Sequence, residues 1–131
     1  MNTKIILIVL GEPNSVFSET LFKYFDSREF KKNKKKIILI GCKNLLKNQM
    51  KKLKYNFFFN EISDLSNSKK DKINIINVDY KFKKTFNKIT DKSNKYLKAC
   101  FDLSFKILKK NKSIGLINGP ISKKHFLKKK Y

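Results

Sequence analysis

The sequence predicts an α/β fold, a mostly parallel β-sheet with flanking helices. Three observations lead there. Short apolar runs rich in β-branched residues alternate with segments of helical periodicity. The runs are continuous rather than alternating, as in strands covered on both faces. Glycine closes three of them, at Gly11, Gly41 and Gly119, where strand gives way to connection.

Residues 5–10, IILIVL, are the first expected strand. Phe17, Leu21, Tyr24 and Phe25 then recur at i, i+4, i+7 and i+8, which places them on one face of a helix. Asn14 or Ser15 is its expected N-cap, and Glu19 suits the positive end of the helix dipole. The basic stretch KKNKKK, 31–36, reads as a polar connection into a second strand at 37–40, ended by Gly41. Leu45, Leu46, Met50 and Leu53 mark a short helix. YNFFF, 55–59, is a third expected strand and SDLSNSKKDK, 63–72, a loop. INIINV, 73–78, is the fourth strand, and an extended lysine-rich segment follows it to about residue 90.

The longest expected helix runs from about residue 91 to 110. Tyr96, Cys100, Leu103 and Ile107 share one stripe, with Leu97, Phe101, Phe105 and Leu108 beside it, so a wide face should be buried. SIGLI, 113–117, is a fifth strand, ended by Asn118-Gly119-Pro120, and a last helix begins near Ile121. No internal repeat and no linker interrupts this alternation. Residues 1–131 read as a single α/β domain or an incomplete one.

Composition sets the class. Of 131 residues 40% are hydrophobic, twelve of them Phe, which excludes a disordered tail despite a net charge of +22. Of 32 basic residues only Arg28 is arginine; the neighbouring excesses are Asn, Ile and Phe, with Ala99 the single alanine. These are the residues that AT-rich codons encode, so much of the charge reads as compositional drift and a solvated lysine surface. Base reading and bidentate phosphate clamps favour arginine. A weak, salt-sensitive, non-specific affinity for polyanions still follows from the charge alone.

Cys42 and Cys100 lie far apart with no second cysteine or histidine near either, which excludes a CxxC motif and a zinc site of ordinary spacing. Both sit in apolar surroundings and read as reduced core thiols of a cytoplasmic protein. The N-terminal apolar run of six residues falls far short of the roughly 20 that span a bilayer. Glu12-Pro13, not a small-residue cleavage site, follows it, so it makes a poor signal peptide.

Chemistry in such folds gathers where strand ends meet helix starts. The three candidate junctions are Gly11-Glu12-Pro13, Gly41-Cys42-Lys43 and Asn118-Gly119-Pro120. At each one the simpler alternative is that Gly and Pro merely punctuate a strand end. Neither GxGxxG nor GxxxxGK[ST] is present, so neither a dinucleotide loop nor a P-loop is supported. The single histidine, His125, stands between Lys124 and Phe126 and reads as a surface residue. The ten carboxylates form no DxD or ExxH, and Ser15, Ser18 and Ser122 have no candidate histidine base in a supporting motif. No catalytic residue and no metal ligand can be assigned from these residues.

The junctions, in their order, resemble one family. GEPNSVFSE at 11–19 is similar to the opening G-[DE]-P-A-G-I-G-P-E of the 4-hydroxythreonine-4-phosphate dehydrogenases of pyridoxal phosphate biosynthesis, with Gly11, Glu12, Pro13 and Glu19 matching. IILIGCKNLL at 37–46 resembles the second strand and G-D-x-x-L-L turn, with Cys42 where aspartate is usual. INVDY at 76–80 resembles I-N-V-x-D, and YLKACFDL at 96–103 loosely fits the Y-x-x-L-x-x-A-x-x-L register. LINGPISK at 116–123 is similar to V-T-[AG]-P-I-N-K, with Gly119, Pro120, Ile121 and Lys123 matching. The resemblance covers essentially the whole chain, but about the first two fifths of such an enzyme.

The resemblance implies the first part of an isocitrate/isopropylmalate-dehydrogenase-like fold. It implies a two-domain enzyme that oxidises a phosphorylated hydroxy amino acid with NAD or NADP and a divalent metal, with loss of carbon dioxide. By the same resemblance Gly11, Glu12, Pro13, Asn118, Gly119, Pro120 and Lys123 are substrate-cleft candidates. The implied partners are a phosphorylated small-molecule substrate and either a second copy in a homodimer or a separately encoded C-terminal part, with no membrane. The departures matter as much. The family's substrate-contacting P-G-H-T-E segment and its three metal-binding histidines belong to later sequence than Tyr131. Ser15 and Phe17 replace two loop glycines, Ser18 replaces proline, and bulky Phe17 would hinder close approach of backbone to a ligand. The expectation is a truncated or split dehydrogenase, inactive alone and not binding cofactor or metal by itself, which would expose a sheet edge. Two alternatives remain: a paralogue acting on another phosphorylated hydroxy acid, and a small basic α/β module that binds RNA or another polyanion.

Overall fold

The structure, a computed structural model, describes residues 5–111 and 113–122. Five strands, β1 (Ile5–Val9), β2 (Lys36–Gly41), β3 (Phe59–Glu61), β4 (Ile73–Asn77) and β5 (Ile114–Asn118), form one sheet in the order β3-β4-β2-β1-β5. Every pairing is parallel: Leu7 stands opposite Ile38 on one side and Leu116 on the other, and Ile40 opposite Ile76. The apolar runs of β1 and β2 are continuous because helices cover both faces.

On one face lie α1 (Phe17–Phe25) and α3 (Lys43–Lys52), which bury Leu21, Phe22, Phe25, Leu46 and Met50 against Ile8, Leu39 and Ile75. On the other lies α4 (Asn94–Lys110), whose Tyr96, Leu97 and Cys100 pack on Leu7, Val9, Ile38 and Ile40. The burial is narrower than the sequence implied. Ser104 is the last fully buried α4 residue, and Phe105 is half exposed, because a single sheet covers only one stripe of the helix.

Four elements depart from the sequence reading. The third strand is Phe59–Glu61 rather than 55–59. Tyr55 and Phe57 instead turn inward and pack on Phe22, with ring centroids at 5.5 and 5.9 Å, so ring packing rather than the sheet takes the aromatic run. Part of the polar connection is a short helix, α2 (Arg28–Lys32), started by Ser27, whose Oγ accepts from the Phe30 N–H. Phe30 closes edge-on against Phe25 at 5.1 Å. Finally, α1 begins after Val16, which makes no side-chain cap. Ser15 Oγ only receives the Phe17 N–H at 3.3 Å, and Asn14 is engaged elsewhere. Ile121 and Ser122 are not helical, and the rest of the expected last helix lies outside the described residues.

Inside this frame Asn74 of β4 is fully buried. Its amide donates to the Ile37 and Lys69 carbonyls, each at 2.9 Å, and its Oδ1 accepts from the Lys69 N–H at 3.0 Å and Asn60 Nδ2 at 2.9 Å. One side chain thus fastens β2, β3, β4 and the loop before β4. At the opposite edge β5 pairs with β1 alone. Ile114 and Leu116 face the α4 side, while Gly115 and Ile117 point to a face that no described helix covers.

Candidate functional site: the strand ends at the β1–β5 crevice

Chain order reverses beside β1: β2 was laid down on one side of it and β5 on the other. In parallel α/β sheets the carboxyl ends of strands at such a reversal bound the usual ligand crevice. Gly11, Glu12 and Pro13 follow β1, and Asn118, Gly119 and Pro120 end or follow β5, so the fold brings these six candidates together. Lys123, the seventh, lies outside the described residues, as does His125.

The two loops are fastened to each other. The Glu12 N–H donates to the Pro120 carbonyl at 2.7 Å, and the Gly119 N–H to the Val9 carbonyl at 2.7 Å. Gly11 holds φ at +78°, and a Cβ there would stand 2.6 Å from the Pro120 oxygen. A Cβ on Gly119 would stand 2.4 Å from the Leu10 oxygen and 2.7 Å from the Phe17 ring. Both glycines are therefore demanded by backbone meeting backbone. The Phe17 ring lies against Gly119.

Glu12 is 3% exposed. Its carboxylate accepts from Ser93 Oγ at 2.9 Å and from the Asn14 N–H at 3.2 Å. It is thereby spent on joining the first loop to the turn that opens α4. Gln49 of α3, also buried, donates to the Pro13 carbonyl at 3.0 Å. Asn14 accepts the Asn87 N–H at 3.1 Å and donates to the Lys88 carbonyl at 3.3 Å, which pins a third loop to the first. The cavity that remains, walled by Glu12, Ser15, Ser18, Gln49 and Tyr96, measures about 20 Å³. That is room for one water and not for a metabolite. Ser18 Oγ, buried and without a protein partner, faces it.

The junction after β2 is closed in the same manner. A Cβ on Gly41 would meet the Leu10 side chain at 2.4 Å and the Tyr96 oxygen at 2.8 Å. That proximity lets Tyr96 Oη accept the Cys42 N–H at 2.8 Å. Cys42 Sγ caps α3 by accepting the Leu45 N–H at 3.5 Å. Burial pushes the Tyr96 hydroxyl well above its ordinary range, with the neighbouring Cys100 adding to it, and pushes the Cys100 thiol up to about 12. Neither is primed as a base or a nucleophile at neutral pH. Sequence inspection missed Ser93, Gln49 and Tyr96 as partners of these junctions; only Tyr96, in the fourth resembling segment, carried any signal.

The fold is one already known. Over 97% of its length the chain superposes on a 4-hydroxythreonine-4-phosphate dehydrogenase from Burkholderia phymatum, with a TM-score of 0.81 and 14% identity. Over 95% it superposes on one from Klebsiella pneumoniae, with a TM-score of 0.79 and 12% identity. It spans 39% of the length of either. No protein-family model matches the sequence, and no curated protein matches it. At such identity the likeness speaks for the fold, and the layered parallel sheet expected from the sequence is the architecture these enzymes share with it.

The cofactor and metal implied by the resemblance were tested against the residues present. Among the described residues no three His, Cys, Asp or Glu side chains gather where they could hold a metal ion. The first loop, with its single-water cavity, offers no bed for a dinucleotide. The residues of the strand-end loops thus do not fit either group, and no chemical step is derived through them. No described helix is long and apolar enough to cross a membrane.

Proposed function

We propose that this chain is the N-terminal portion of a 4-hydroxythreonine-4-phosphate dehydrogenase-like enzyme and supplies one wall of its substrate cleft. The observation that carries this is the position of the matching motif residues. Gly11, Glu12, Pro13, Gly119 and Pro120 meet at the chain reversal, in a fold that such dehydrogenases share over nearly the whole of this chain. Residues 5–122 make one α/β unit whose β5 edge and uncovered Gly115–Ile117 face invite further strands and a covering helix. The wall is built rather than reactive: Glu12 fixes loops, and Asn118 and Pro120 are left exposed toward the crevice mouth. Metal ligands, nicotinamide site and most substrate contacts then come from other sequence, encoded with this chain or separately, in a cytoplasmic enzyme.

The test is oxidation of 4-phosphooxy-threonine, followed as NAD(P)H absorbance with added divalent metal. The 131-residue chain alone should give none. The native protein, purified under mild conditions with whatever polypeptide completes it, should give metal-dependent turnover. Turnover by the chain alone would overturn the division of labour. A native preparation that holds a completing polypeptide and oxidises neither this substrate nor another phosphorylated hydroxy acid would overturn the proposal.

A further inference from the structure

The segment between β4 and α4, residues 78–93, is not used by the strand-end site except as an anchor, yet it shapes a polar, lysine-lined hollow of the described surface. This basin, about 350 Å³, is walled by Tyr80, Phe82, Asn14, Asn87 and Thr90 and rimmed by Lys81, Lys83, Lys84, Lys88 and Lys92. Its size falls within the range of small-molecule sites. A second hollow adjoins it through Tyr80, Lys81 and Lys92 and adds Lys95, with Asp79 the one carboxylate on either wall.

Three features separate this basin from the lysine surface elsewhere. It is concave, with five exposed lysines along its rim, where a flat solvated face would let such charges spread. None of those five takes part in an ion pair between described residues: the pairs are Lys23–Glu19, Lys43–Glu61 and Lys98–Asp102. Its loop is also held in shape. Thr85 is buried, Phe86 sits at φ 55°, a costly conformation for a bulky residue, and Asn87 and Lys88 are bonded to Asn14. The back wall is aromatic, with the Tyr80 and Phe82 rings nearly parallel (11°) at 6.4 Å and Tyr80 backed by Tyr96 at 4.8 Å.

From this we infer that the basin is a binding site for a small oligophosphate, a ligand with two or more adjacent phosphoryl groups. Several lysines can share such a charge at once, whereas an isolated surface lysine loses most of its attraction to screening. The hollow accommodates a small molecule and is too confined to track a nucleic-acid strand, which lysines on an open face would serve as well. The inference stands apart from the dehydrogenase proposal, since the basin lies outside the β1–β5 crevice and needs none of its residues beyond Asn14.

The test compares two triple variants of the full chain with equal loss of charge. Lys83→Ala/Lys84→Ala/Lys88→Ala empties the basin rim, and Lys31→Ala/Lys32→Ala/Lys34→Ala removes three exposed lysines from the α2 region. Circular dichroism checks that each folds. Inorganic tripolyphosphate is titrated calorimetrically at 150 mM salt. The expected result is saturable binding at one site, weakened about tenfold by the basin variant, as three exposed charge contacts imply, and less than about twofold by the control. ATP serves as the second ligand. Tighter binding of ATP than of tripolyphosphate, lost in a Phe82→Leu variant, assigns the natural ligand to nucleotides; equal binding assigns it to inorganic oligophosphate. Equal weakening by both triple variants, non-saturable binding, or displacement of tripolyphosphate by a single-stranded oligonucleotide with equal sensitivity to both variants would overturn the site.

Discussion

Replacing Glu12 by alanine should destabilise the protein by about 2–4 kcal/mol, and the figure follows from what the carboxylate holds. Its side chain is buried and accepts two hydrogen bonds, from Ser93 Oγ at 2.9 Å and the Asn14 N–H at 3.2 Å. Truncation orphans the Asn14 N–H, at about 1–3 kcal/mol, and leaves Ser93 Oγ only the long contact with the Thr90 carbonyl at 3.4 Å, at about 1 kcal/mol more. The adjoining 20 Å³ cavity would widen and admit water, which returns part of that cost for one donor. For a chain of this size about 3 kcal/mol corresponds to a fall in Tm of roughly 10 °C. Urea unfolding followed by far-ultraviolet circular dichroism measures it, with an unchanged m-value expected, since the surface exposed on unfolding is the same. Ser93→Ala removes only one of the two donors and should cost about 1 kcal/mol. Combined with Glu12→Ala it should be clearly less than additive, because the two side chains share a bond. A Glu12→Ala variant within about 0.5 kcal/mol of the parent, or full additivity with Ser93→Ala, would refute the keystone role assigned to Glu12.

The two glycines of β5 and its loop should behave oppositely. Gly119→Ala drives a methyl into the Leu10 backbone and should cost about 2–3 kcal/mol in thermal unfolding, whereas Gly115→Ala meets nothing within 4 Å and should gain about 0.5 kcal/mol. Asn74→Leu keeps the volume and leaves the Ile37 and Lys69 backbone groups unpaired, so a loss of about 2–4 kcal/mol is expected in urea titration. Stability should also fall in alkali. The Cys100 thiol, ordinarily 9.0, is pushed up to about 12 by burial, so the unfolded chain releases that proton first. Its contribution is intact below about pH 9 and declines by about 1.4 kcal/mol per unit from there toward pH 12. Urea midpoints at pH 8 and pH 10.5 should differ accordingly, and less so in Cys100→Ala, where the hydroxyls of Tyr96, Tyr80 and Tyr24, all raised by burial, remain.

The alternation of elements was legible because it rests on burial. Residues 37–40 are apolar on both sides, and Ile73, Ile75 and Ile76 divide between the two faces, for the plain reason that α1 and α3 lie on one face and α4 on the other. What failed to show in the sequence was decided by competition between partners. The run at 55–59 has a strand's composition, yet Tyr55 and Phe57 gain more against Phe22 than along β4, and pairing starts at Phe59. The start of α2 turned on one hydroxyl, Ser27, among charged and polar neighbours in a segment whose lysines conceal any periodicity. Asn14, with the composition of an N-cap, was claimed by the loop at 87–88.

The same competition bears on how the motif residues should be weighed. Gly11 and Gly119 are small because two backbones cross there, Glu12 is acidic because two donors converge on it, and Cys42 stands at an N-cap, a position where an aspartate would do the same work. Asn77, within the third resembling segment, accepts the Lys43 N–H at 2.8 Å and so helps start α3. Gly11, Glu12, Gly119 and Asn77, residues by which the chain resembles the dehydrogenases, are thus consumed in holding strand ends together. Such residues report the shape of the crevice and say little about what reacts in it. Chemistry specific to this chain is better sought where side chains remain exposed, at Asn118 and Pro120 beside the crevice and at the lysines around Tyr80 and Phe82. There a substitution can change binding while leaving the fold in place, which no substitution at Glu12 or Gly119 can do.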